Sequence, residues 1–345
     1  MKKKRVSIKD IAAQLNISIT TVSFILNGKS KEVGISTALT EKVLKHVEET
    51  GYKPNLLAKS LRTGKTKIIC LLIENIADPF FATVAGYVEE LFNQRGYKII
   101  FGSTKNQAAK TRELIDLFRD RHVDGFIIAP SEKLEADITN LLNESIPLVL
   151  FDRYYKEIET DRVTTDNYEG AYNAVKLLID QDYRNIALIT IDSEQTQMHD
   201  RLLGYEKAIS EYGLKPYTVK MNYQKVEQTA VEEITQLLTQ NPDIDALFFG
   251  TNYLTLKGLQ AIEELNLSVP GDIGVISFDD HDVFKLLKPN ITAVAQPIAK
   301  MSEEMVNLLL EQIDVTKAER TKRQVVVPST MHVRDSSIKK INHNA

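Results

Sequence analysis

From Lys67 onward the chain repeats one pattern: a short, almost uninterrupted apolar run followed by a longer amphipathic stretch. IICLLI precedes a helical pattern over 80–95, YKIIFGS precedes 107–121, VDGFIIAP precedes 134–143, and PLVLFD closes the series. A second series runs through 168–181, NIALIT, 201–212, 226–240, DALFFG, 254–265 and IGVISFDD. Strands that are apolar on both faces must be covered on both faces, so each series predicts a parallel sheet flanked by helices. Two series predict two doubly wound lobes, with a ligand crevice at the carboxyl ends of the strands.

Those strand ends gather polar and aromatic groups. Asp78, Phe80 and Phe81 follow the first strand, Asp152 and Arg153 the fourth, Thr251 and Asn252 a later one, and Asp279 the last of the second series. Carboxylates and a guanidinium can satisfy hydroxyls by paired hydrogen bonds, while an aromatic face covers an apolar ring face. A small hydroxyl-rich ligand suits this set, although Asp78 and Asp279 could equally be helix caps. No GxGxxG, GxxxxGK[ST] or GxSxG occurs, so nucleotide and hydrolase chemistry has no phosphate loop or nucleophile elbow. The DDHD run at 279–282 invites a metal, but consecutive residues converge poorly on one ion. No metal, cofactor or catalytic constellation is therefore expected. The single cysteine, Cys70, lies inside IICLLI and reads as a core thiol.

Charge divides the chain where the pattern does. Residues 1–64 hold 12 Lys and Arg against 5 Asp and Glu, so +7 sits there and −11 on the remaining 281 residues. An acidic body repels polyphosphate, which confines any nucleic-acid contact to the basic head. In VSIKDIAAQLNIS, Ser7 and Asp10 form a capping box before Ile8, Ile11, Ala12 and Leu15 at helical spacing. Asn16 and Ile17 make a tight turn, and Ser18 caps a second helix to about Leu26, with Val22, Ile25 and Leu26 inward. Two short helices joined this way describe a helix-turn-helix, whose second helix meets base edges. A third helix runs from the Ser36 cap to Thr50-Gly51. Beyond Pro54, residues 55–62 can form only about eight residues of helix, below the roughly 12 that hold together alone in water, so they should fold against a partner. Leu57 and Leu61 beside Lys59 and Arg62 suit a minor groove that an apolar wedge can kink.

These segments, VSIKDIAAQLNISITTVSFILNGK and TGYKPNLLAKSLRTGKTKIICLLIENIADPFF above all, resemble the lactose-repressor/galactose-repressor (LacI/GalR) family of bacterial transcription regulators. The resemblance continues through FDR, RLLGYEKAI, GVISFDDHD and ITAVAQPI. It implies an all-α helix-turn-helix headpiece on an α/β, two-lobed periplasmic-binding-protein-like body with two doubly wound parallel sheets. It implies a head over 1–50 and a hinge helix and linker over 51–66. The first effector-binding lobe would take 67–161 and 293–322, the second 162–292 and 323–340, with a tail at 341–345.

The resemblance places Ile19, Thr20, Ser23 and Phe24 in the major groove, and Ser7, Ser18, Thr21 and Asn27 at phosphates. Asn55, Ala58, Leu61 and Arg62 fall at the minor-groove hinge. Asp78, Phe80, Phe81, Asp152, Arg201, Thr251, Asn252 and Asp279 fall in the effector pocket. Three departures stand out. Phe24 occupies a position where the family usually carries Arg, so it either offers apolar contact, for example to a thymine methyl, or packs inward on the third helix. The loop NGKSKEVGIS is longer than usual, and Ser302 stands where Gly is common.

The expected protein is a cytoplasmic homodimer that binds a pseudo-palindromic double-stranded DNA operator, probes a small sugar or sugar acid, and makes no use of a membrane. A two-lobed transport-type sugar-binding protein is the rival from another class; the basic head and the lack of an export signal in MKKKRVSIKD speak against it. A sugar-processing enzyme is the third reading, without a motif to support it.

Overall fold

A computed structural model describes residues 6–52, 64–314 and 321–338. Met1–Thr66 and Lys67–Ala345 are two separate compact units.

The head contains α1 (Ile8–Leu15), α2 (Ile19–Leu26) and α3 (Thr37–Thr50). Each begins at the serine that its sequence offers. Ser7 completes a reciprocal capping box with Asp10, Ser18 accepts from the Thr21 N–H, and Ser36 accepts from the Leu39 N–H. Gly51 ends α3 at φ 61°, in the left-handed region that glycine enters without strain. Ile11, Ala12, Val22, Ile25 and Val43 form the buried centre, surrounded by Leu15, Leu26, Leu39 and Val47. Full burial of one such aliphatic side chain contributes about 1.5–3 kcal/mol, so a core this small depends on every member. The long loop after α2 is itself ordered: Ser30 is buried, and its carbonyl accepts from the Ile35 N–H at 2.8 Å.

The body runs β1 (Ile68–Ile73), α4 (Pro79–Gln94), β2 (Lys98–Ser103), α5 (Ala108–Asp120), β3 (Gly125–Ile128), α6 (Glu135–Asn143), β4 (Leu148–Phe151) and β5 (Asp161–Thr165). It continues through α7 (Asn167–Asp180), β6 (Ile186–Ile191), α8 (Thr196–Glu211), β7 (Tyr217–Met221), α9 (Val226–Gln240), β8 (Ala246–Phe249), α10 (Asn252–Glu264) and β9 (Gly274–Phe278). Last come β10 (Thr292–Ala295), α11 (Ile298–Asp314), β11 (Gln324–Val327) and β12 (Thr330–His332). The strands form two six-stranded sheets, β11-β5-β4-β3-β1-β2 and β12-β10-β9-β8-β6-β7. All pairings are parallel except β10 with β12.

Alternate residues of each central strand feed opposite cores, as the pleat requires. In β1, Ile69, Leu71 and Ile73 pack with α4 and α11, whereas Cys70 and Leu72 pack with α5 and α6. Burial raises the Cys70 thiol well above its ordinary range, which leaves it an inert core group.

The lobe boundaries differ from those expected. β5 and β11, assigned in advance largely to the second lobe, pair with each other in the first sheet; β10, assigned to the first, lies in the second. The segment DRVTT is too polar to read as a buried strand. It is buried nonetheless, because Asp161 is fully satisfied by the Arg323 N–H at 2.9 Å and Gln312 Nε2 at 3.1 Å. The chain therefore crosses between lobes three times: after β5, between β10 and α11, and between β11 and β12.

Candidate functional site

The four groove-facing expectations, Ile19, Thr20, Ser23 and Phe24, occupy adjacent rows of α2, because positions four apart stack one turn above another. Ile19 is 44 % exposed and Thr20 is exposed. Phe24 is half-buried and is not among the hydrophobic side chains packed on the head core. The hydroxyl and amide groups expected at phosphates are held within the head. Ser18 Oγ accepts from the Thr21 N–H at 3.0 Å and bonds Thr21 Oγ1 at 2.8 Å; Asn27 Nδ2 donates to the Ser23 carbonyl at 2.7 Å; Ser7 Oγ donates to Asp10 at 2.7 Å. The start of α2 remains a natural anion site through its N–H groups and helix dipole. Asn55, Ala58, Leu61 and Arg62 lie outside the described residues.

In the body, a cleft between the lobes is lined by Glu74, Asp78, Phe80, Phe81, Asn106, Asp152, Arg153, Gln195, Gln197, Met198, Arg201, Tyr223, Thr251, Tyr253, Asp279 and Gln296, with Ile191 beside them. Seven of the eight expected effector residues are on that wall; Asn252 is not. It is the first residue of α10, buried, and its Nδ2 has no partner among the described residues.

Each wall residue is placed by the element before it. Asp78 caps α4, accepting from the Phe80 N–H at 2.8 Å, so it is both cap and cleft group. The turn then delivers Phe80 and Phe81, packed edge to face with centroids 5.0 Å apart. Asp152 and Asp279 follow β4 and β9, which hold equivalent places in the two sheets. Both aspartates take left-handed backbone, at φ 66° and 70°, and each N–H bonds the next strand, to the Val163 and Val294 carbonyls at 3.0 and 2.9 Å. Non-glycine residues rarely adopt this conformation, and where they do it concentrates at functional sites.

Arg201 sits in the second turn of α8, which begins five residues earlier than the sequence pattern indicated. Gly204, one turn on, lets α8 lie against α7: a Cβ there would stand 2.3 Å from the Tyr168 carbonyl. The close approach sets Arg201 Nε 2.9 Å from Asn167 Oδ1 and Nη1 2.7 Å from the Gly250 carbonyl. Its guanidinium lies 3.7 Å from the Phe278 ring centroid and 3.5 Å from Asp279 Oδ2.

Arg153 is 2 % exposed and ties the lobes together. It donates to the Pro130 carbonyl at 2.8 Å, Glu74 Oε2 at 2.8 Å and Asn106 Oδ1 at 3.0 Å in the first lobe, and to Gln195 Oε1 at 3.2 Å in the second. Gln195 Nε2 returns a bond to Asn106 Oδ1 at 2.9 Å. Ser193 Oγ to Glu132 at 2.7 Å and the Tyr154 N–H to Thr196 Oγ1 at 3.2 Å add to the bridge.

Crowded carboxylates shift one another. Burial, with Asp279 and Glu74 nearby, pushes Asp78 up to about 7 against the opposing Phe80 N–H bond. Burial lifts Asp152 to about 6, although Arg153 and Arg201 pull it down. The DDHD run separates into different tasks: Asp279 faces the cleft, Asp280 pairs with Arg334 at 2.6 Å, and His281 Nδ1 accepts from the Val283 N–H at 2.9 Å. Among the described residues no group of three or more His, Cys, Asp and Glu is arranged to hold a metal. None of the described helices is long and apolar enough to cross a membrane.

Comparison with known proteins places both units. Residues 7–55 match the model for bacterial regulatory proteins of the lacI family, and residues 175–337 match that for a periplasmic binding protein-like domain. The ribose operon repressor of Haemophilus influenzae is 31% identical over 333 residues, covering 96% of this chain and 98% of that protein. A LacI family transcriptional regulator from Enterococcus faecium, solved with bound ribose, superposes with a TM-score of 0.69 at 25% identity, over 78% of this chain and 98% of the other. The lac repressor dimer bound to operator and an anti-inducer shares the fold, with a TM-score of 0.85 at 19% identity over 97% of this chain and all of that one.

Proposed function

This chain belongs to the lacI family of bacterial regulatory proteins, and from that membership we propose that it is a transcriptional repressor whose operator affinity is set by a small hydroxyl-rich effector held between the lobes of its body. The observation that carries this reading is the union, in one chain, of a capped helix-turn-helix with an outward second helix and a buried polar cleft at strand ends. Ile19, Thr20, Ser23 and Phe24 read bases, while Ser7, Ser18, Thr21 and Asn27 lie along phosphates. Asn55, Ala58, Leu61 and Arg62 enter the minor groove at the centre of the site. Residues 1–50 act as the reading head and 51–66 as the hinge.

One such head covers a half-site, so a two-fold homodimer meets a pseudo-palindromic operator. Asp78, Phe80, Phe81, Asp152, Arg201, Thr251, Asn252 and Asp279 hold the effector. An effector that binds one lobe arrangement better than the other shifts the population of dimers able to hold DNA, and linkage makes DNA alter effector affinity by the same factor. The protein works in the cytoplasm, where its operator is.

A gel-shift titration of the full chain on genomic fragments at two salt concentrations tests the reading. Saturable binding that weakens steeply with salt is expected, from phosphate neutralisation by the head; absent or salt-independent binding would sink it.

A further inference from the structure

The cleft wall is rich in hydrogen-bond acceptors and poor in donors. Four carboxylates line it, Glu74, Asp78, Asp152 and Asp279, against two guanidiniums. Arg153 spends its donors on Pro130, Glu74, Gln195 and Asn106, and Arg201 spends Nε and Nη1 on Asn167, Gly250 and Asp279. Arg201 Nη2 is the guanidinium edge with no described bond. Of the acceptors, Asp152 is the least occupied. Asp152 comes no nearer to its one ion-pair partner than 3.6 Å, from Arg153 Nη1.

The amides point to the same need. Gln197 is 2 % exposed and lines the cleft; its Nε2 donates to Gln195, and its Oε1 has no partner among the described residues. Gln296 donates from Nε2 to Asp279 at 2.7 Å, and its Oε1 is likewise buried and unpaired. Both amide orientations follow from the acceptors that their Nε2 atoms meet, so the orphan atoms are oxygens. A buried acceptor without a donor is costly, and several such acceptors around one cleft require a ligand that supplies N–H or O–H groups.

We propose that the cleft takes an uncharged or cationic polyhydroxyl ligand, a free sugar or amino sugar, and rejects the corresponding sugar acids and sugar phosphates. An anion would bring further acceptors to the orphan oxygens of Gln197 and Gln296, on a wall where four carboxyl groups face two guanidiniums whose donors are largely spent. Arg201 Nη2 can donate to a ring or hydroxyl oxygen, and Phe80 and Phe81 offer an aromatic surface for the apolar face of the ring. The proposal rests on the small-effector reading above and narrows the ligand class that reading leaves open.

The test uses the full chain and matched series: D-ribose, ribonate and ribose 5-phosphate, then D-glucose, gluconate, glucose 6-phosphate and glucosamine, each by calorimetry and thermal shift. The expected result is binding of a free sugar or glucosamine with its acid and phosphate at least 100-fold weaker. An acid or phosphate that binds equally well or better overturns the proposal and leaves the sensor reading standing. Silence across both series overturns the hydroxyl-rich effector reading, and this proposal with it. At pH 8, above the raised values of both carboxyls, Asp78→Asn and Asp152→Asn keep shape and backbone preference while removing charge. Either should narrow the gap between sugar and acid about tenfold, and an unchanged gap in both would assign the exclusion to shape and overturn the charge argument.

Discussion

The reading helix and the effector cleft use opposite chemistry. Between Ser18 and Leu26, α2 has no Arg, Lys, Asn or Gln; its outward groups are an aliphatic chain, a phenyl ring and small hydroxyls. The cleft is crowded with carboxylates, amides and guanidiniums, most of them buried. The difference follows from what each surface meets. A groove edge supplies its own donors and acceptors and can be discriminated by a methyl group, whereas a small ligand enclosed by protein must find every polar atom answered. Affinity for DNA can therefore come largely from phosphates, the start of α2 among the groups that meet them, while its outward side chains supply selectivity, and the cleft must supply both.

Three substitutions probe the contrast, taken from the largest effect down. Arg201→Met leaves Asp279 and the Gly250 carbonyl without their buried partner, and should destabilise the body by about 3–5 kcal/mol and abolish effector response. Chemical denaturation and calorimetry check both, and retained effector affinity would remove Arg201 from the site. Phe24→Arg should introduce a preference for guanine at one operator position worth about 1–3 kcal/mol, read by selection from randomised DNA, with effector affinity unchanged. No change in base preference would mean that position 24 does not face bases.

Asp78→Asn gives the clearest sign, read in the pH dependence of stability. A carboxyl whose folded value is raised to about 7 from an ordinary value of 3.8 holds its proton more tightly when folded. The native protein then loses stability as pH rises between those values, and is flat with respect to this group above them. The variant should melt higher than the parent at pH 8 and lose that advantage as pH falls towards 4. A constant difference across the range would show that Asp78 is not perturbed.

How much of each region was legible in the sequence follows from the same contrast. The head is local: Ser7, Ser18, Ser36 and Gly51 mark its helix ends within a few residues of the apolar positions they frame, and all four act as read. The cleft is assembled from residues up to about two hundred positions apart, so it could be found only where the strand before each residue was recognised. Asp78, Asp152 and Asp279 follow apolar runs and were legible. Tyr223 and Gln296 follow β7 and β10, short strands hidden by half-exposure and by a misplaced lobe boundary. Gln195 and Gln197 flank a helix start that carries no side-chain cap to announce it. Asn252 was expected among the effector residues; it is buried at the start of α10 and is not on the wall. Ser302 acquires a partial account: it is fully buried with an unpaired Oγ among the described residues, a hydroxyl where a smaller residue would leave nothing unsatisfied.

The paired aspartates after β4 and β9 bear on how this lineage can drift. Each combines a carboxylate in a buried, crowded setting with a backbone conformation that glycine or asparagine adopts at least as readily. At position 152 mutation thus has a downhill route in folding that erases a cleft carboxylate, whereas at position 279 it also strips Arg201 and Gln296 of their partner. Purifying selection for a working switch must continually oppose that route. In descendants that keep their operator but lose their signal, position 152 should be among the first to relax to Asn or Gly, while Ser18 and Gly51, which serve the head alone, persist.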